Sequence, residues 1–155
     1  MKMLFLSLLF CAGWHADLSP VLDHYYAIKD ALVAGDAAAA ARAAGGMMAA
    51  INAVDAGSLP ARDRRAYLAW KDKLAYDARH ISESKDISHQ REHFASLSAN
   101  LSKLARESGM SAQPIYEEYC PMRKAYWLSR DTAIRNPYLG SSMLTCGKVT
   151  RTLKP

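Results

Sequence analysis

The chain has 155 residues, half of them apolar, with 20 Lys and Arg against 15 Asp and Glu. That is one domain's worth of sequence, enough to bury a core; no apolar run is long enough to span a bilayer, and no period of about 20–50 residues marks a solenoid. The net charge of +5 is mild, and the basic cluster Arg62, Arg64, Arg65, Lys71 and Lys73 is interrupted by Asp63 and Asp72, so a solvated helix face is expected and no nucleic-acid partner.

Residues 1–16 read as a secretory leader. Lys2 supplies the positive end, Met3 to Ala12 the apolar stretch, and Ala16 a small residue before a cut at Asp17. Trp14, bulky three positions before that cut, argues against it, and Phe10 before Cys11 argues against lipid attachment at Cys11. The expected mature chain is a single domain over residues 17–155, periplasmic or secreted, with no membrane insertion once the leader is gone. Loss of Cys11 leaves two cysteines, Cys120 and Cys146. In an exported protein such a pair defaults to a disulfide.

The first helix is expected from Ser19, a capping residue followed by Pro20 at a position where its missing N–H costs nothing. Val21, Tyr25, Ile28 and Leu32 form one apolar face, and Gly35 is a natural stop. Asp36 caps a second, alanine-rich helix, which Gly45 and Gly46 are expected to kink before Met47, Met48, Ile51 and Val54 continue its face. Gly57 and Pro60 break the chain again. A third helix over about residues 61–84 buries Tyr67, Trp70, Leu74, Ala78 and Ile81. The fourth has the clearest seam: Ile87, Gln90, Phe94, Leu97, Leu101 and Leu104, ending at Gly109.

Beyond Gly109 the helical period fades. Ile115–Tyr119 reads as extended, Trp127–Ile134 as a short helix capped by Ser129 or Asp131, and Val149–Leu153 as a short strand. The expected class is therefore all-α: an antiparallel four-helix bundle with an irregular, turn-rich C-terminal extension that packs Tyr126, Trp127 and Tyr138 onto the bundle.

The chemistry on offer is mostly sulfur. Met122 follows Cys120 by two residues, and Met143 precedes Cys146 by three. Thiolates and thioethers are soft donors that select Cu(I). The competing use of the same thiols is a disulfide fastening an aperiodic tail, with Met122 and Met143 as core filler. The two uses exclude each other, because a disulfide supplies no thiolate. His89 and His93, four apart on one side of the fourth helix, can chelate a metal, although solvated histidines are the commoner outcome; His80 flanks the stripe of the third helix. No phosphate loop, His-Glu-x-x-His or Gly-x-Ser-x-Gly is present, and Glu117 and Glu118, as strand neighbours, point opposite ways. No enzyme is expected.

The tail YCPM…WLSRDTAIRNPYLGSSMLTCGKV, the segment DISHQREHFASLSANL with Arg91, Phe94 and Ser98, and YYAIKDALVAGDAAAA together resemble the domain of unknown function 3347 family over roughly residues 20–153. The resemblance implies an exported domain, of a kind also appended to periplasmic adaptor subunits of heavy-metal efflux pumps, with a role in handling copper or a related metal. Carried over by position, its candidate ligands are Cys120, Met122, Met143 and Cys146, with His80 on the third helix as a weaker one. The link Arg123-Lys124-Ala125-Tyr126 departs from the longer, glycine-containing one usual in that family. The functional expectation is a Cu(I)-binding protein for sequestration or delivery, partnered by an efflux adaptor or another envelope protein; the alternative is a disulfide-stapled structural or interaction module without metal.

Overall fold

A computed structural model describes residues 17–154; the expected leader lies outside them. Four helices come first: α1 (Ser19–Ala34), α2 (Ala37–Ala53), α3 (Ala61–Glu83) and α4 (Ile87–Glu107). Three strands follow: β1 (Ile115–Cys120), β2 (Ala125–Ser129) and β3 (Lys148–Leu153). Single 3-10 turns occupy Ala56–Ser58 and Gly140–Ser142.

The helix boundaries follow local chemistry. Pro20 sits in the first turn of α1, and the Asp17 carboxylate accepts from the Ser19 N–H at 2.8 Å. Gly35 closes α1 in the left-handed conformation at φ 77°, as Cβ-free residues do at helix ends. Asp36 caps α2 by accepting from the Ala39 N–H at 2.8 Å. No break occurs at Gly45 and Gly46, because α2 runs unbroken to Ala53. Gly46 serves packing instead: a Cβ there would meet the His24 ring of α1 at about 2.4 Å, so its absence lets the two helices approach. Asp86 caps α4 through the Ser88 N–H at 2.8 Å.

Consecutive helices pack on one another, burying Tyr25, Ile28 and Leu32 of α1, Ala40, Ala44 and Met47 of α2, Leu74, Ala78 and Ile81 of α3, and Phe94, Leu97, Leu101 and Leu104 of α4. Trp70 is less buried than its place on the stripe implies. Its indole N–H donates to Glu107 at 3.0 Å, and Lys73 and Lys103 lie over its ring. Gln90, fully buried on the α4 seam, sets its amide nitrogen 2.9 Å from the carbonyls of Ala37 and Ser84 and ties the α3–α4 corner to the start of α2.

The all-α expectation is corrected by the tail. β1 is the centre of a three-stranded antiparallel sheet in the order β2-β1-β3. Trp127–Ser129, expected as the start of a helix, pairs as strand residues with β1: Trp127 opposite Glu118, Leu128 opposite Glu117, Ser129 opposite Tyr116. The aromatic and branched residues there gain more from two-sided burial in a sheet than a single helical turn offers. Asp131 does cap, but a turn, accepting from the Ala133 N–H at 2.9 Å. The extended expectations for Ile115–Tyr119 and Val149–Leu153 match β1 and β3, with a bulge between Glu117 and Glu118 where Thr150 is the extra residue on β3.

The residues that carried the family resemblance dock this sheet. Arg91 donates to the Pro137 carbonyl at 2.8 Å and the Leu32 carbonyl at 3.0 Å. Phe94 stacks on Tyr25 at 5.0 Å and meets Tyr138 at 5.8 Å. The Tyr25 hydroxyl lies 2.7 Å from Ser98 Oγ and accepts from the buried Leu128 N–H at 2.9 Å, so α1 pins β2 directly. Trp127 and Tyr138 enter the core as expected, whereas Tyr126 stays exposed. Asn136, fully buried, accepts from the Tyr138 and Leu139 N–H groups and donates to the Cys146 carbonyl at 2.6 Å, which folds the segment between β2 and β3.

Candidate metal centre

A link of three residues, Ser84–Asp86, turns α3 back against α4. The last turn of α3 therefore lies beside the first two turns of α4. His80 comes from the former; His89 and His93, one helical turn apart, come from the latter. The three side chains converge: one ring nitrogen from each lies within 4.8 Å of the others. None of the three histidines is buried, so the cluster sits at the surface.

The rings are packed. His80 and His93 stack at 4.4 Å with 5° between their planes, and His89 meets His93 edge-on at 4.7 Å. Tyr76, one turn before His80, lies 4.5 Å from His80 and 5.9 Å from His93 and walls one side. Beneath them Asp77 is 3% exposed, and its carboxylate accepts from His93 Nδ1 at 3.0 Å. A carboxylate can only accept, so this bond favours the Nδ1–H form of His93 and leaves its Nε2 without a proton. Three imidazoles with a carboxylate behind one of them form a donor set suited to zinc, copper or nickel.

The sulfur residues lie elsewhere, on the sheet. Cys120 ends β1 and is buried, Cys146 precedes β3 and is half-buried, and both are free thiols. The two face one another: burial first, then the Cys120 sulfur, push the Cys146 thiol up, which favours the protonated form over the thiolate a metal needs. Met122, on the turn between β1 and β2, is 65% exposed and Met143 is 44% exposed, so neither acts as core filler. Of the candidates read from the sequence, His80 joins the histidine cluster, Cys120 and Cys146 form a pair, and the methionines stand in solvent.

The histidine cluster is only half visible in sequence. The spacing of His89 and His93 marks a potential chelate, but their meeting with His80 depends on how the α3–α4 corner closes. Asp77 carries no sequence signal beyond lying one turn before His80 on α3.

The adjacent carboxylates have different surroundings. Glu117 faces α4 and is held by Arg106, by Ser102 at 2.7 Å and by Arg151 at 3.5 Å. Glu118 is fully buried, and among the described residues neither of its oxygens has a hydrogen-bond partner. Burial pushes its carboxyl up to about 7, with Lys29 pulling the other way and Asp131 adding to the rise.

Among the described residues no helix is long and apolar enough to cross a membrane. No curated protein and no solved structure matches the chain. The family model described as "Protein of unknown function (DUF3347)" matches residues 21–113, a span that runs from α1 past the end of α4 and includes all three histidines and Asp77. The chain belongs to that family.

Proposed function

We propose that this protein is an exported metal-binding domain that sequesters or delivers its ion without catalysing a reaction, and that the ion is held by His80, His89 and His93. The observation that carries the reading is the convergence of three imidazole nitrogens within 4.8 Å, backed by a buried carboxylate on one of them. Ordinary solvated histidines on a helix face lack such a carboxylate, whereas histidine ligands characteristically have one. Copper is the ion favoured by the resemblance, and Cu(II) heads the affinity order of divalent first-row ions at nitrogen sites. An efflux adaptor or another envelope protein is the partner such a carrier would serve.

A second reading keeps the sulfur residues. The facing thiols of Cys120 and Cys146 suit either a Cu(I) site completed by Met122 and Met143 or a disulfide staple in an interaction module without metal. Competition titrations with a chromophoric chelator separate the readings. The parent should take up about one Cu(II) or Zn(II), His80→Ala should lose it, and Cys120→Ser/Cys146→Ser should keep it. Retention by His80→Ala with loss in the double cysteine variant moves the site to the sulfurs; no uptake by the parent, with a mass two protons lower than the free dithiol, supports the staple.

A further inference from the structure

The histidine cluster is gathered but not yet a chelate. An ion bonded to imidazole nitrogens at about 2.0–2.1 Å in tetrahedral geometry separates those nitrogens by about 3.4 Å, and never by more than about 4.2 Å. The cluster spans up to 4.8 Å. More telling is the stack. His80 and His93 lie parallel, with 5° between planes. Imidazole lone pairs lie in the ring plane, so parallel rings aim them side by side and not at a common point. At least one ring turns when an ion enters.

Which ring turns is decided by what holds each. His93 is fixed by the 3.0 Å bond from Nδ1 to Asp77, which is itself buried at the α3–α4 interface. His80 and His89 have ring contacts but no hydrogen bond among the described residues, and neither is buried. Resting on the metal reading above, we infer that Asp77 is a positioning residue. It holds His93 as the Nδ1–H tautomer with Nε2 free, so that His93 is the anchor ligand for a divalent ion of intermediate softness, Cu(II) or Zn(II). His80 and His89 then swing out of the stack to complete three-nitrogen coordination. The fourth position lies at the surface and is exchangeable, as transfer of the ion to an acceptor requires. The carboxylate also supplies a negative charge behind the ligand and strengthens imidazole as a donor.

The test uses the full mature chain with 15N-labelled histidine. In the metal-free protein, long-range proton–nitrogen spectra at pH 7.5 should show His93 as the Nδ1–H tautomer. On adding Zn(II), the large nitrogen shift of His93 should fall on Nε2. An Nε2–H tautomer at His93, or metallation at its Nδ1, overturns the inference. Asp77→Asn should weaken Zn(II) binding about 10–100-fold with the stoichiometry unchanged; a loss of less than threefold overturns it. Because a buried substitution can disturb folding, the tautomer spectrum of the unaltered protein decides independently. On the Cu(II)-loaded protein, added imidazole should shift the visible absorption as it enters the open position, and an unresponsive spectrum overturns the exchangeable site. A parent that binds neither ion overturns the metal reading itself, and the metal-free spectrum then still judges the role of Asp77.

Discussion

Glu118→Gln isolates the energetic consequence of a buried carboxyl without a hydrogen-bonding partner among the described residues. Burial pushes its pKa from 4.5 up to about 7, Lys29 opposes the rise, and Asp131 adds to it. The folded protein therefore holds a proton that the unfolded chain gives up near pH 4.5. Below that pH both states are protonated and the residue has no pH-dependent effect. As pH rises through the interval from 4.5 to about 7 the folded state loses stability relative to the unfolded one, and above it the loss is complete. The full displacement corresponds to at most about 3.4 kcal/mol, and relaxation of the surroundings lowers this to about 2 kcal/mol. Glutamine keeps the shape and does not ionise. Urea unfolding at pH 4 should show a difference between variant and parent that reflects only the amide's own burial. At pH 8 the variant should have gained about 2 kcal/mol on the parent relative to that baseline. A difference that stays constant between pH 4 and pH 8 refutes the assignment of an unusually protonated Glu118.

The join between bundle and sheet is tested by Tyr25→Phe, which keeps the stack on Phe94 but orphans the buried Leu128 N–H and the Ser98 hydroxyl. Unfolding should cost about 2–3 kcal/mol less than for the parent, with amide exchange at Leu128 accelerated, and a change below about 0.5 kcal/mol would show that the hydroxyl does not pin the sheet. Gly147→Ala probes the approach to β3. At φ 152° its Cβ would lie about 2.7 Å from the Trp127 ring and 3.0 Å from the Tyr119 carbonyl. A loss of about 2 kcal/mol or more in chemical denaturation is expected, because a strand carbonyl yields far less than a flexible side chain; unchanged stability would mean that this corner is loosely packed.

The four helices were legible because each carries its own start, stop and period. Asp36 caps, Gly35 stops, and the α4 seam from Gln90 to Leu104 repeats often enough to fix which face is buried. The tail was legible only in part. β1 and β3 showed as extended stretches, but β2 is five residues long and its aromatic run fits a helical turn or a strand equally well, so pairing with β1 decided it. The role of Gly46 was hidden for a related reason: the space that it leaves is occupied by His24 from another helix, which no local pattern reveals.

The same division runs through the candidate centre. By itself the sequence determined that His89 and His93 share a helix side, that His80 flanks the stripe of the helix before, and that soft sulfur donors gather between Tyr119 and Gly147. These are matters of spacing along one chain segment, and helical geometry converts spacing into a shared face. Only the tertiary structure decided that His80 belongs with His89 and His93 and not with the cysteines, that Asp77 stands behind His93, and that Met122 and Met143 face solvent. A metal centre needs donors that converge from separate elements, and convergence is set by how α3 packs on α4, a property of the pair that neither helix carries alone.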